Sequence, residues 1–361
     1  MKSLPILFAA AFAAPSFAQQ YDDNGDVIGA VGGPAAPGNV LQSISGPSSR
    51  YNDLAHDGQY LMVLDGSVAA VQLLHDVSGA LMGSIPVANA SDFGLAWDDE
   101  RELVVTTNAS TDVVYVYTRT GALVTSWPFP STGFVGAAWD CRRDVYWVLD
   151  WSANTVTALD PMTGAPGTVF STTAIGCTRG AGLCYDANTD TLYMGGRDQR
   201  TVFGMNAATG ALVCSFLGDQ GSSSNPHGIA ISPRGGVWEG TYQGNFTLHE
   251  YESCTPTHPE LRFGPNFPIA GSPVTLTMSR LMPNERGIFV YSRTGCGPTA
   301  SPIGDMLLSN PRYVLAIVPS SGAGVATISG TLPGGLGGST LFFHGGGLGG
   351  SGRCNNVIIN P

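Results

Sequence analysis

Asp65, Asn108, Asp150, Arg197 and Tyr242 each fall at the end of the second apolar strand of a repeating pattern, and Glu239 lies three residues before Tyr242. The oxygens of Asp65, Asn108, Asp150 and Glu239, if gathered, would suit a divalent cation such as Ca2+, which takes six to eight oxygen ligands. Glu239 could then serve as a further ligand or as a base. The same Asp is also a turn former, because its carboxylate accepts the backbone N–H groups that follow it. Repetition in several units favours the turn role. Trp151, Arg179, His227, Phe93 and Phe134 fall in neighbouring loops. Exposed aromatics with acidic neighbours suit a sugar or peptide ligand, and packing between adjacent units is an equal alternative.

Three other stretches invite chemistry. In "FFHGGG" (342–347), the His-Gly-Gly-Gly run resembles the loop that donates N–H groups to an oxyanion in lipases and esterases. That loop needs a Gly-x-Ser-x-Gly elbow later in an α/β sheet, and too little chain follows. The expectation is a Gly-rich loop with a solvent-facing His344. "YDDNGD" (21–26) offers close acceptors for Ca2+ but lacks the glutamate that completes a calcium loop, so a solvated turn is expected. His227 alone opens a unit, and a lone histidine reads as a satisfied turn residue.

The elements that must position these residues repeat. "GALMGSIPV" (79–87), "GALVTSWPF" (121–129) and "GALVCSFLG" (210–218) recur. Each is followed by a small-residue strand, as in "FGLAWDD" (93–99) and "VGAAWDC" (135–141), and then by a more apolar one. Each unit reads as four antiparallel strands, too thin to bury a core alone, so the units must stack around an axis. The pattern gives an all-β, five-bladed β-propeller over residues 19–253, with blades at 51–87, 93–129, 135–170 and 180–218. The fifth starts near His227 and stops at Cys254 without a fourth strand. "NGDVIGAVGG" (24–33) matches the missing strand, so the N-terminal strand is expected to close the ring and remove an open seam.

"VYWVLDWSANTVTALDPMTG" (145–164) and "NPHGIAISPRGGVWEGTYQGN" (225–245) resemble the NHL/YVTN class of propellers, which is similar to gluconolactonase-related and streptogramin-lyase-like propellers. The gluconolactonase resemblance implies a divalent cation held at the axial mouth by Glu, Asn and Asp, here Asn108, Asp150 and Glu239. The lyase type uses several converging histidines and glutamates, which His227 alone does not reproduce. The resemblance covers roughly residues 21–253 and speaks to fold, since such propellers include enzymes and plain binders.

Residues 254–260 read as a Pro-marked linker. Residues 261–361 alternate short apolar strands with Gly/Pro turns and predict a β-sandwich. "AGSPVTLTMS", "GIFVYS" and "CNNVIINP" resemble a C-terminal β-domain of planctomycete-type secreted proteins, which implies an accessory or surface-attachment role from position alone.

Residues 1–18 pair Lys2 with an apolar run and a small-residue end, the pattern of a cleaved signal peptide. The chain is therefore expected to be exported, and no later apolar run is long enough to span a membrane. Gly (49) and Pro (24) make up a fifth of the 361 residues, which favours turns and short strands. The net charge of −11, with Lys2 the only lysine, argues against nucleic acid. The seven cysteines include no Cys-x-x-Cys pair, which disfavours zinc, and export permits disulfides. No complete catalytic set is present. The leading expectation is a secreted binding or surface protein for a small ligand, glycan or protein. A metal-dependent hydrolase or lyase is its competitor.

Overall fold

The computed structural model describes residues 37–47, 51–88, 92–129, 133–218, 226–233, 235–241, 247–254, 260–264, 269–279, 281, 286–294, 298–299, 306–307, 312–321, 325–347, 350–351 and 355–358. The signal-like residues 1–18, the strand expected at 24–33 and Tyr242 lie outside them.

The described chain is all-β, apart from two short 3-10 turns. Strand β1 is Val40–Ser45. The first sheet holds β2 (Tyr51–His56), β3 (Tyr60–Asp65), β4 (Ala70–His75) and β5 (Leu81–Pro86) in order. The second holds β6 (Asp92–Asp98), β7 (Leu103–Asn108), β8 (Val113–Thr118) and β9 (Leu123–Pro128). The third holds β10 (Phe134–Asp140), β11 (Val145–Asp150), β12 (Thr155–Leu159) and β13 (Pro166–Ser171). The fourth holds β14 (Gly180–Asp186), β15 (Thr191–Gly196), β16 (Thr201–Asn206) and β17 (Leu212–Leu217). The fifth runs β18 (Pro226–Ile231), β19 (Val237–Thr241), β20 (Thr247–Tyr251) and then β1. All these pairings are antiparallel, and the arrangement is propeller-like.

Burial falls from the first strand of a sheet to its fourth. β2 and β3 are buried at every position, whereas β5 and β9 expose most of theirs. A strand covered on both faces needs a continuous apolar or small-residue run, and that is what "LAW", "AAW" and "LCY" supply. The first strands pack on one another in the order β2, β6, β10, β14, β18, and β18 packs on β2. Their close approach depends on small residues: Gly94, Gly136, Gly182 and Gly228 occupy one aligned position. A Cβ at Gly136 would lie 2.9 Å from the Gly182 carbonyl carbon, and one at Gly228 would lie 2.9 Å from that of Asp53. The fifth occupant of that position is Asp53.

The outer strand of the fifth sheet comes from ahead of the first sheet, but from a different segment than expected. β1 pairs with β20 from Val40↔Tyr251 to Ser45↔Thr247. Gly38 N–H donates to Glu252 O at 2.9 Å, and Gln42 Nε2 to Glu250 Oε2 at 2.8 Å. The expectation of 24–33 failed because an edge strand asks little of its sequence: within β1 only Ile44 is buried. A disulfide joins Cys214 of β17 to Cys254, with Cα atoms 5.9 Å apart, and so clips the fourth sheet to the chain leaving the fifth.

In the C-terminal region, Pro273–Ser279 pairs with Glu260–Gly264 and Ala326–Thr331, and Arg286–Ser292 pairs with Arg312–Pro319 and Thr340–Gly347. Leu276, Met278 and Ile328 of one sheet share a core with Phe289, Leu341 and Phe343 of the other. "FFHGGG" is strand, not loop. His344 pairs with Val290 and is fully buried rather than solvent-facing. The glycines extend the strand because they are paired, and a Cβ at Gly345 would overlap the Met278 methyl from the facing sheet. Among the described residues, no helix is long and apolar enough to cross a membrane.

Candidate functional site

One end of the five sheets gathers the starts of the first strands and the ends of the second strands. Tyr51 pairs with Asp65, Asp92 with Asn108, Phe134 with Asp150, Gly180 with Gly196, and Pro226 with Thr241. Trp151 and Arg197 follow the second strands, and Arg179 precedes β14, so all three reach this end.

The oxygen donors do not form one set. Asp65 Oδ1 accepts Ser67 N–H at 2.8 Å and Ser67 Oγ–H at 2.6 Å. Asn108 Oδ1 accepts Ser110 N–H at 2.9 Å and Thr111 N–H at 3.0 Å. Asp150 Oδ1 accepts Ser152 N–H at 2.8 Å and Ala153 N–H at 2.9 Å. Each residue serves its own turn, the second of the two roles its spacing allowed. Glu239 is buried in mid-strand, its carboxylate against Gly218 of the fourth sheet. Among the described residues, no group of three or more His, Cys, Asp or Glu is placed to hold a metal ion.

The aromatic and cationic residues do come together. The Trp151 indole has the Arg179 guanidinium 4.8 Å and the Arg197 guanidinium 5.3 Å from its ring centroid. Such placements are favourable because the ring face is electron-rich. The Trp151 backbone N–H donates to Gly133 O at 3.0 Å, and a Cβ at residue 133 would overlap the indole, so glycine is required there. Arg179 is exposed, with Asp198 Oδ1 at 3.6 Å. Three loops from two sheets thus bring two cations to one half-buried ring.

Nearer the first strands the contacts are structural. His227 is buried, its Nδ1 is 2.9 Å from Asn52 O, and its ring lies 6.1 Å from that of Phe93. Asn52 Nδ2 donates to Asp92 O at 2.6 Å. The Asp92 carboxylate accepts Thr106 Oγ1–H at 2.6 Å and Asn108 Nδ2–H at 3.0 Å, and burial pushes its pKa up to about 6. Both oxygens are engaged within the second sheet, which fits a structural role better than a proton shuttle.

Asp53 escaped the sequence reading. Its Oδ2 accepts Leu95 N–H at 2.9 Å, and its Oδ1 accepts Leu54 N–H at 2.8 Å and Ile229 N–H at 3.2 Å. The Ala137 N–H also favours its anion. The carboxylate therefore touches first strands of four sheets. Burial nonetheless pushes its pKa well above the usual carboxylate range. The signal was available: where four units carry glycine before "LAW", "AAW", "LCY" and "IAI", the first unit carries Asp before "LAH".

No family model matches the sequence, and no curated protein matches it. Among solved structures, a Myxococcus xanthus glutaminyl cyclase aligns with a TM-score of 0.50 and 14% identity, over 61% of this chain and 97% of that one. A streptogramin B lyase aligns with a TM-score of 0.38 and 12% identity, over 57% of this chain and 66% of that one. At these identities the likeness to the cyclase is one of fold, and it agrees with a propeller-like arrangement.

Proposed function

We propose that this chain is an exported, non-catalytic binding protein. In this reading residues 19–253 form a five-bladed β-propeller of the NHL/YVTN type, sealed by a strand from its N-terminal segment. A β-sandwich at 261–361 follows the linker. The pairing of β1 with β20 and the packing of β18 on β2 support the seal. The Cys214–Cys254 disulfide supports an oxidising compartment.

The observation that carries the binding role is Trp151 flanked by Arg179 and Arg197 at the loop-rich end. A planar ring with two guanidiniums offers stacking area and charge-assisted donors to a small ligand, a glycan or an extracellular protein. The competing hydrolase or lyase reading draws no comparable support, because Asp65, Asn108 and Asp150 turn their acceptors into their own loops.

A melting-temperature screen against glycans, lactones, Ca2+ and EDTA tests the proposal, since a ligand that binds only the folded state raises the midpoint by mass action. A stabilising ligand whose effect vanishes in W151A, with the ligand recovered unchanged, is the expected result. Turnover that needs Ca2+ and is lost in D150A would replace this reading with the hydrolase.

A further inference from the structure

Trp151 differs from the other described tryptophans that carry an arginine. Arg101 lies 4.9 Å from the Trp139 ring and is anchored to Asp98 at 3.0 Å. Arg119 lies 5.1 Å from the Trp97 ring and is anchored to Asp57 at 2.6 Å. Each of those rings holds one cation, and a buried carboxylate neutralises it. Trp151 holds two, Arg179 at 4.8 Å and Arg197 at 5.3 Å. Both being close to one centroid, the two charges lie within about 10 Å of each other, near the Debye length, and repel.

The acidic neighbours offset this repulsion only in part. Asp198 Oδ1 is 3.6 Å from Arg179, beyond hydrogen-bond distance, and both side chains are about half exposed, so the pair is loose. Asp150, next to Trp151, accepts the Ser152 and Ala153 N–H groups of its own turn. Arg200, on the same turn as Arg197, adds a third cation to this end.

The backbone holds the cations in place. Gln199 Nε2 donates to Gly176 O at 3.3 Å and to the Thr178 hydroxyl, which ties the Arg197 turn to the Arg179 loop. The Arg179 backbone N–H donates to Asn154 Oδ1 at 2.7 Å, which ties that loop to the Trp151 turn. Arg179 has φ 52°, a left-handed conformation that is costly with a Cβ. The other described non-glycine residues with positive φ lie in hairpin turns within a sheet, whereas Arg179 lies in a loop between sheets. Such strain persists where the surroundings over-determine it, as at ligand clamps. Three loops braced in advance also lower the ordering cost of binding.

We infer that the Trp151 end takes its ligand through an oxyanion, a carboxylate or phosphate group held between Arg179 and Arg197. This rests on the binding role proposed above and names the ligand class. A guanidinium carries five N–H donors in its plane, more than a contact with a ring face engages, and they match a planar oxyanion. The anion offsets the repulsion between the two arginines, a gain that a neutral ligand does not supply. One such group alone binds with a Kd on the order of millimolar.

The test titrates the whole chain with benzoate, phenyl phosphate and neutral benzamide at matched ionic strength, following the six indole N–H signals by proton–nitrogen NMR. W151F identifies the Trp151 signal. A saturable shift of that signal with an anion is expected, with benzamide about tenfold weaker, and the tighter anion tells carboxylate from phosphate. R179Q and R197Q each remove one charge and should each weaken anion binding by about fivefold. Added NaCl should weaken it in the wild type, a readout that stands even if a variant fails to fold. Benzamide binding as tightly as benzoate overturns the oxyanion, as does anion binding indifferent to both substitutions and to salt, or no saturable Trp151 shift with either anion. A neutral glycan that raises the melting temperature of the wild type but not of W151A would then leave the binding role standing without its anionic class. The absence of any stabilising ligand would remove both.

Discussion

The Asp53 carboxylate lies 2.9 Å from the Leu95 amide nitrogen, so a side chain of the first sheet is hydrogen-bonded to the backbone of the second. The same carboxylate reaches Ile229 of the fifth sheet at 3.2 Å. Backbone N–H groups on a first strand that do not face a sheet partner would otherwise be stranded in the interior. Asp53 satisfies several of them at once, at a level where the four other sheets leave room by carrying glycine.

Removing this acceptor should therefore cost more than an ordinary polar deletion. D53A leaves at least three buried N–H groups without an acceptor, and the expected loss is about 3 kcal/mol or more. D53N keeps one oxygen but turns an amide NH2 toward donors, and should fall between wild type and D53A. Urea unfolding followed by tryptophan fluorescence gives the measurement. A D53A midpoint indistinguishable from wild type would show that water replaces the carboxylate at no cost.

Arg143 is the clearest latch between neighbouring sheets. It holds Asp140 at its own turn and, through both terminal nitrogens, Asp190 of the fourth sheet, each at 2.7 Å. Asp140 also accepts Trp147 Nε1–H at 3.0 Å and is fully buried. R143A strands that carboxylate, and a loss of about 2 kcal/mol is expected, less than for a fully buried pair because Arg143 is partly exposed. R143K should recover only part of it, since an ammonium cannot make the two-pronged contact. Burial would raise the pKa of Asp190, but hydrogen bonds from Arg143 and Tyr185 hold it below its usual value. A carboxylate lowered in the fold stabilises fully above its unfolded pKa, near 4, and loses that contribution as pH falls through the folded value. R143A should thus be less acid-sensitive than wild type below about pH 4. A parallel decline of the two proteins in that range would mean that Asp190 is held by other groups.

What could be read from the chain depended on how much each position is constrained. The "LAW" and "AAW" strands were legible to within a residue, because a strand buried on both faces must be small and apolar throughout, whereas the largely exposed "GAL" strands were legible through the repetition of their sequence. Even the weaker "GAPGTVFS" match became Pro166–Ser171. The strand completing the fifth sheet was misplaced because β1 has one buried side chain and so almost no distinguishing pattern. Trp151 and Arg179 were legible as residues of neighbouring loops and Arg197 as the end of a second strand, but their meeting around one ring was not. Asp65, Asn108 and Asp150 share that position too, yet their oxygens turn into their own loops, a direction that residue type alone does not encode.

His344 supplies a pH dependence of the opposite origin. It is fully buried in Thr340–Gly347, neither ring nitrogen has a partner, and burial pushes its pKa down to about 3 from the usual 6.5. A base lowered in the fold is protonated first in the unfolded chain, so between about pH 6.5 and 3 the unfolded state binds the extra proton. Stability of the C-terminal region should rise with pH across that window and level off above it, with a total swing on the order of 4 kcal/mol. H344L removes the titrating ring together with two unsatisfied nitrogens, so it should be neutral or stabilising at pH 7 and should flatten the acid limb. All six tryptophans precede residue 239, so their fluorescence does not report on this region. Hydrogen exchange of the Thr340–Gly347 amides at pH 4, 5 and 7, corrected for the intrinsic rate at each pH, isolates the effect. Wild type should lose protection on acidification while H344L keeps it. Equal losses in both proteins would place the acid sensitivity elsewhere than on this imidazole.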